Sequence, residues 1–510
     1  MKAVREFHPP VAWLVLAAGA VAVLAAGAAL APSIVPIGSA VLLAAAAATA
    51  GLLTWLRAGW WRSWLVVVAV SAIGPFLDIV THYPINWLIG LVVLFMASAL
   101  LLRAILRWRP QALAAPAPLR LPVLGICLGI YVAYFFIQAL RPDVNRASAL
   151  LEMRAPLIGL AAYGITVYWL WPSIKQQQGL RLLRQFLVLF VAVSLVVAAY
   201  GLFQAAVGFN RLQAWGLTEA GGVYFQNQTN FNGGTVIFRI FSTMRRNEVL
   251  GVFLYLSIIM GVAALQLRVG SRWLVLTSLG LSTLALLLAL SLTSVVMLGA
   301  WIASLFLFSK LSKRWLVRLT TLGVFALGVT LIVNQVLGGL IAVRFQEHVV
   351  DTQQGIGRVQ MAQNWMAEMY DRPLLQGMFG SGLCLGLDDA TLGRLQSVLN
   401  TLGVNVGAST PCGWQREIHD NWYATHSLEI GWLGLLPIWL LFGLLAVDTL
   451  PRLRRRWREP ERSALTMLAL GALMFWPAGF VGDLIVYMPI NVYFWSLIGF
   501  LEVSAMASAD

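Results

Sequence analysis

Apolar runs of about 18 residues or more recur from one end of the chain to the other, broken by short polar clusters. Each is long enough to cross a hydrocarbon core of ~30 Å as a helix. The pattern places spans near residues 11–31, 36–56, 63–81, 84–102, 121–140, 153–171, 185–207, 247–266, 273–291, 293–309, 319–339, 430–448, 463–482 and 484–502. It therefore predicts an all-α, polytopic membrane helix bundle of about fourteen helices. Two intervals are too long to be turns. One is Gly208 to Arg246; the other, Arg344 to Gly434, holds three of the five histidines, two of the three cysteines and a run of glycines. The chain divides into N-terminal transmembrane helices (1–207), a first outer loop (208–246), central transmembrane helices (247–339), a large outer loop carrying the candidate chemistry (340–429) and C-terminal transmembrane helices (430–510).

Composition sharpens this picture. The 510 residues are 60% hydrophobic and only 11% charged, with a mean hydropathy of +0.80, which leaves too little charge to cover a soluble domain. With the N-terminus inside, the segments predicted to be cytoplasmic hold 23 of the 35 Lys and Arg, and those predicted to be outside hold 12. The acidic residues divide the other way, about six inside and fifteen outside. Positive charge is thus kept on the cytoplasmic side, and both termini are cytoplasmic. Lys2 and Arg5 precede a span too long for a signal peptide, so it reads as a retained first helix. The net charge of +14 does not imply nucleic acid: Arg452 to Arg458 and Lys310 to Arg318 read as anchors beside anionic head groups.

The spans are nearly free of ionisable residues, with Asp78, Arg154 and Asp483 at or near their ends. That weighs against a proton-coupled transporter, as does the absence of an inverted repeat. In the large loop, residues 356–370 form an amphipathic pattern stopped by Asp371-Arg372-Pro373, and 389–402 form a second; such helices suit a membrane interface. Cys384 and Cys412 are either a disulfide pair on an oxidising face or two separate thiols, and their spacing does not resemble a zinc site.

The informative charges gather on the outer face. Arg239, Arg245 and Arg246 come just before the span starting at Asn247, whose outer end is a helix N-terminus that favours an anion. The guanidinium fork matches phosphate oxygens. With Arg358 from the large loop and Arg211 from the first, these arginines fit a lipid-linked phosphate or diphosphate. The competing reading pairs each with a carboxylate such as Glu248 or Asp351. The glycines of Gln376 to Gly386 either cradle a phosphate or mark turns; no Gly-Lys-Ser/Thr follows them. His419 and His426 are seven apart and would share one face of a continuous helix. A general base, a structural histidine and a metal ligand are the readings, in that order of preference.

Taken in order, these pieces resemble the O-antigen ligase and polymerase family. The similarity runs from Gln204 to Gly434. It rests on Gln204 with Gly208, on Arg239 to Asn247 before a span, and on Arg358 with Trp365. Asp371-Arg372-Pro373, Gly377 to Gly382, and His419-Asp420-Asn421 followed by Glu429-Ile430-Gly431 and Gly434 complete it. The resemblance implies a cofactor-free, metal-independent glycosyltransferase of a bacterial inner membrane, with its site facing the periplasm or exterior. It implies an undecaprenyl-diphosphate-linked glycan donor and a glycan, lipid or protein hydroxyl as acceptor. Arg239 and Arg358, with Arg245 or Arg246, would hold the diphosphate, and His419 would take the acceptor's proton. Where the family has His-Asn adjacent, Asp420 intervenes, and Gly431 lies twelve rather than eleven residues after His419, which keeps His426 as a second candidate. Ser294-Val295 stands where the family commonly has Ser-Arg. The alternatives are a polysaccharide flippase or exporter, and a non-catalytic component of envelope assembly.

Overall fold

The structure is a computed structural model, and it describes residues 60–81, 85–107, 122–141, 146–170, 178–215, 228–230, 236–244, 246–308, 335, 367, 373–380, 422–454, 459–479 and 487–506. The described chain is a bundle of apolar helices. Those used below are α1 (Trp60–Ser71), α2 (Gly74–Thr81), α3 (Ile85–Arg107), α4 (Val123–Ala139), α5 (Arg146–Leu170), α6 (Gln178–Val207), α7 (Phe209–Ala214), α8 (Asn247–Gln266), α9 (Arg272–Leu288) and α10 (Leu292–Phe308). After them come α11 (Leu374–Phe379), α12 (Trp422–Leu444), a π-turn at Leu445–Thr449, α13 (Leu450–Arg454), α14 (Pro460–Leu473), α15 (Phe475–Ala478) and α16 (Met488–Met506). The one departure from helix is an antiparallel ribbon of Gln228–Asn230 and Val236–Phe238, with Thr229 opposite Ile237, inside the expected first outer loop.

Among the described residues, four segments are long and apolar enough to cross a membrane: Arg181–Val207, Asn247–Gln266, Arg272–Ala289 and Glu429–Arg454. Their neighbours pack around two helices that are apolar on every side, the pattern of a helix with no exposed face. These are α8, 89% of whose span is buried, and α16, buried along almost its whole length. Aromatic rings lock them together: Tyr493 of α16 meets Phe190 of α6 edge-on at 4.6 Å and Phe253 of α8 at 5.6 Å. Glycines let the helices approach. A Cβ on Gly251 would lie 2.3 Å from the Ser291 side chain, and one on Gly471 2.6 Å from Ile259. Small residues serve this purpose where packing rather than water exclusion holds helices together.

Among the described residues two sequence-predicted spans are broken: 63–81, and 463–482, where α14 ends at Leu473 and α15 starts at Phe475. Residues 63–81 are two helices, because Pro75 has no N–H to continue the ladder and Gly74 loosens the backbone before it. The carbonyl of Ala72 freed by the break accepts a hydrogen bond from Thr243 Oγ1 at 2.8 Å. The span expected at 430–448 coincides with the apolar segment Glu429–Arg454, and the helix from Trp422 meets it at a kink at Gly431, whose φ of +70° is open to glycine but strained for other residues. The narrow break between α9 and α10 falls at Ala289–Ser291, about two residues before the Ser291-to-Thr293 turn anticipated from the sequence. Asp78 is structural: its two carboxylate oxygens take the backbone and side-chain N–H groups of Asn86 at 2.9 and 3.0 Å, capping α3.

Candidate functional site

One end of the bundle, the end that the charge asymmetry assigns to the outside, gathers the segments of interest. The loop from Arg239 to Arg246 enters α8 there, against the last turns of α6. Gln204 of α6 organises it. Its Oε1 accepts from the backbone N–H groups of Ser242 (2.7 Å) and Phe241 (3.2 Å), and its Nε2 donates to the Ser242 carbonyl (3.3 Å). Ser242 itself has φ +48°, a left-handed conformation that costs a non-glycine residue roughly 1–2 kcal/mol. The Gln204 bracket and the bond from Ser242 Oγ to the Val197 carbonyl (2.5 Å) hold it there. A short 3-10 turn over Ser242–Met244 follows, and Asn247 Nδ2 then donates to the Ala289 carbonyl at 3.1 Å, tying the start of α8 to the end of α9.

This frame sets Arg239 and Arg246, two of the three described arginines of the predicted group; the third, Arg211, is exposed on α7. Arg239 is buried, its side chain only 8% exposed, with Nη1 3.4 Å from the carboxylate of Glu248, which is 39% exposed. Burial draws the Arg239 guanidinium below its ordinary range, and the Glu248 charge partly restores it. Its Nε meets no acceptor among the described residues. Arg246 is the residue before α8, in extended conformation. It donates to the Tyr487 hydroxyl at 2.6 Å, and its guanidinium lies 5.4 Å from the centre of that ring. Tyr487 immediately precedes α16, so two helix N-termini and two arginines share one corner of the bundle. The alternative in which Arg239 pairs with Glu248 is realised. Arg245, Arg358 and His419 lie outside the described residues, as do the two amphipathic segments and the Cys384–Cys412 pair.

His426 belongs to another part of the same end. It is buried on α12 and packs on Phe135 of α4, ring centres 5.4 Å apart. Tyr423, one turn earlier, is fully buried and donates its hydroxyl to the Trp476 carbonyl at 2.9 Å. Glu429 and Ser427 are buried with them. Among the described residues no three of His, Cys, Asp and Glu come together in a metal-binding group.

The described part of the glycine run makes a close crossing. Gly380 (φ +78°) ends α11 and packs on the kink of α12: a Cβ there would lie 2.1 Å from the Glu429 carbonyl oxygen. Reciprocally, a Cβ on Gly431 would lie 2.2 Å from the Met378 carbonyl oxygen. These two glycines thus bring backbone against backbone. Gln138 and Arg141, at the end of α4, complete the junction. Gln138 Nε2 donates to the Phe379 carbonyl at 2.7 Å, and Arg141 Nη1 donates to the Gly380 carbonyl at 3.0 Å and to Gln138 Oε1 at 3.2 Å.

Sequence reasoning gave no role to Gln138, Arg141, Tyr487 or the Gln204 bracket. Their signal was faint: Gln138 and Gln204 are lone amides near the ends of apolar runs, and Arg141 is one more cation on the cation-poor face. No protein-family model matches the chain, and no curated protein matches it.

Proposed function

We propose that the chain is a metal-independent membrane glycosyltransferase that uses an undecaprenyl-diphosphate-linked glycan at the outer face of a bacterial inner membrane. About fourteen helices, with both termini cytoplasmic, would present the donor site between the spans. The observation that carries the reading is Arg239: a nearly buried guanidinium at the mouth of a helix N-terminus, with Arg246 at the same mouth. An arginine is costly to bury and is kept where an anion repays it. In this reading Glu248 holds Arg239 in place until a diphosphate oxygen takes over.

The chemistry then runs as a single displacement. The acceptor hydroxyl loses its proton to His419 as its oxygen bonds to the anomeric carbon. The bond from that carbon to the diphosphate oxygen breaks, and its electron pair leaves on the lipid diphosphate, with inversion at the sugar. Arg239 and Arg358, helped by Arg245 or Arg246, stabilise the charge that builds on the leaving group.

The test is purified protein in lipid vesicles with a defined undecaprenyl-diphosphate glycan, read by mass spectrometry of the lipid and glycan products. Longer glycan on the same carrier identifies a polymerase; glycan moved to a different hydroxyl identifies a ligase. Donor recovered chemically unchanged, in the presence of each acceptor class, rejects the enzyme. Unchanged donor that has crossed the bilayer would instead mark a flippase, and no action on the lipid an assembly component.

A further inference from the structure

Helix α11 is six residues long and is held at its C-terminal end by protein on two sides. The last carbonyls of a helix have no partner within it. Here Gln138 takes that of Phe379 and Arg141 takes that of Gly380, the latter adding a cation where the helix dipole favours one. Beyond that end, Gly380 is locked against Gly431. Gly377 and Met378 face the protein, and the other side of α11 points away from it: Leu374 and Leu375 are 78% and 70% exposed, and Phe379 is exposed too.

The helices that hold it expose apolar stripes of their own. On α4 the stripe runs through Ile126, Ile130 and Ile137 to Leu140, the residue before Arg141. On α12, within one of the four segments able to span a membrane, it runs through Leu433, Leu436 and Leu440. Both follow helical spacing, and in a bilayer both face lipid. Arg141 and Gly431 are the points where these stripes begin, and they are the points that grip α11. Its exposed leucines therefore continue a lipid-facing surface.

We propose that α11 is a strap embedded in the outer leaflet, its leucines among the acyl chains, with Gln138 and Arg141 holding it at that depth. Backbone is tolerated at membrane depth where protein satisfies its polar groups, which is what these two side chains do for the C-terminal carbonyls. The occupant of the exposed face is lipid. This inference rests on the membrane reading and the packing at one junction, and it stands or falls independently of glycosyl transfer.

The test uses the full chain in lipid vesicles, with an environment-sensitive fluorescent amino acid at Leu375, or in a separate protein at Leu374, so that one poorly folding variant does not decide the outcome. The same probe at Ile130 is the lipid-facing reference. Quenchers are phospholipids carrying a nitroxide high on the acyl chain, and aqueous iodide. The expected result is quenching by the lipid nitroxide, as at Ile130, with little effect of iodide. Quenching by iodide alone would place α11 in water and overturn the proposal. Quenching by neither would mean that another part of the chain covers it, and would overturn it equally.

Discussion

Arg239 carries the largest share of the functional argument, and its burial is what makes a substitution there informative. Its side chain is only 8% exposed, so whatever opposes its charge acts in a medium of low polarity, where a charged hydrogen bond is worth about 1.5–3 kcal/mol. Arg239→Ala is expected to lower donor use roughly ten- to a hundred-fold on that scale. Arg239→Lys should recover part of it, since lysine keeps the charge but not the fork. Initial rates at matched protein levels are the measurement, and unchanged turnover in the alanine variant would remove the diphosphate clamp. The two histidines separate in the same way. His419→Ala should lose activity by about 10²–10⁴-fold, the scale of general-base participation, with yield and donor binding intact. His426 packs on Phe135, so His426→Ala should appear as a lowered unfolding temperature instead. Loss of transfer in His426→Ala alone would shift the base to the second histidine. At this scale the sequence was readable wherever charge was concentrated: Arg239, Arg245 and Arg246 crowd into eight residues ahead of a span. It marked Gln204 only through the resemblance and was silent on Gln138 and Tyr487, because their partners are carbonyls, N–H groups and a guanidinium that only the folded chain brings within reach.

Among the elements, the breaks are more telling than the helices. Gly431 sits at φ +70° with the Met378 carbonyl where a side chain would begin. Gly431→Ala combines a left-handed penalty of roughly 1–2 kcal/mol with overpacking of typically 1–3 kcal/mol. We expect a clear drop in the midpoint of a thermal size-exclusion series, and Gly380→Ala should match it because the contact is reciprocal. By contrast, Gly443→Ala, with open space around it, should leave the midpoint unchanged. Equal behaviour of the three variants would mean that the crossing is not tight. Gln204→Leu tests the bracket at the start of α8. Each buried group left unsatisfied costs about 1–3 kcal/mol, so the midpoint should fall while the helical circular dichroism stays native. Periodicity read these helices well where an apolar run was uninterrupted, as over α8. It joined α1 to α2 across Pro75 because the apolar pattern continues through the break. It gave no element to Trp422 to Leu428, ahead of the span at 430–448, because that stretch mixes polar and apolar residues that are nonetheless buried at Tyr423, His426 and Ser427.

For the molecule as a whole, the charge asymmetry of the sequence predicts which end faces outward. A cysteine at Asp388 should react with a membrane-impermeant maleimide in intact cells, or in spheroplasts where an outer membrane intervenes. Labelling that requires a broken inner membrane would invert the topology. Hydropathy makes the membrane class evident from the chain alone, but it cannot say which helix sits in the middle, since every span has a similar apolar content. Burial supplies that: α16 is enclosed, and at its far end Glu502 accepts from the backbone N–H of Leu124 at 2.8 Å and from the hydroxyl of Tyr163. The helix that closes the bundle thus follows in the chain every helix it closes. During synthesis α4, α5, α6 and α8 are made before α16, so Tyr163 lacks the carboxylate it meets in the finished protein until α16 arrives. Packing around α16 therefore comes after every helix it touches has been made, and protease resistance gained late in a pulse-chase is the expected outcome.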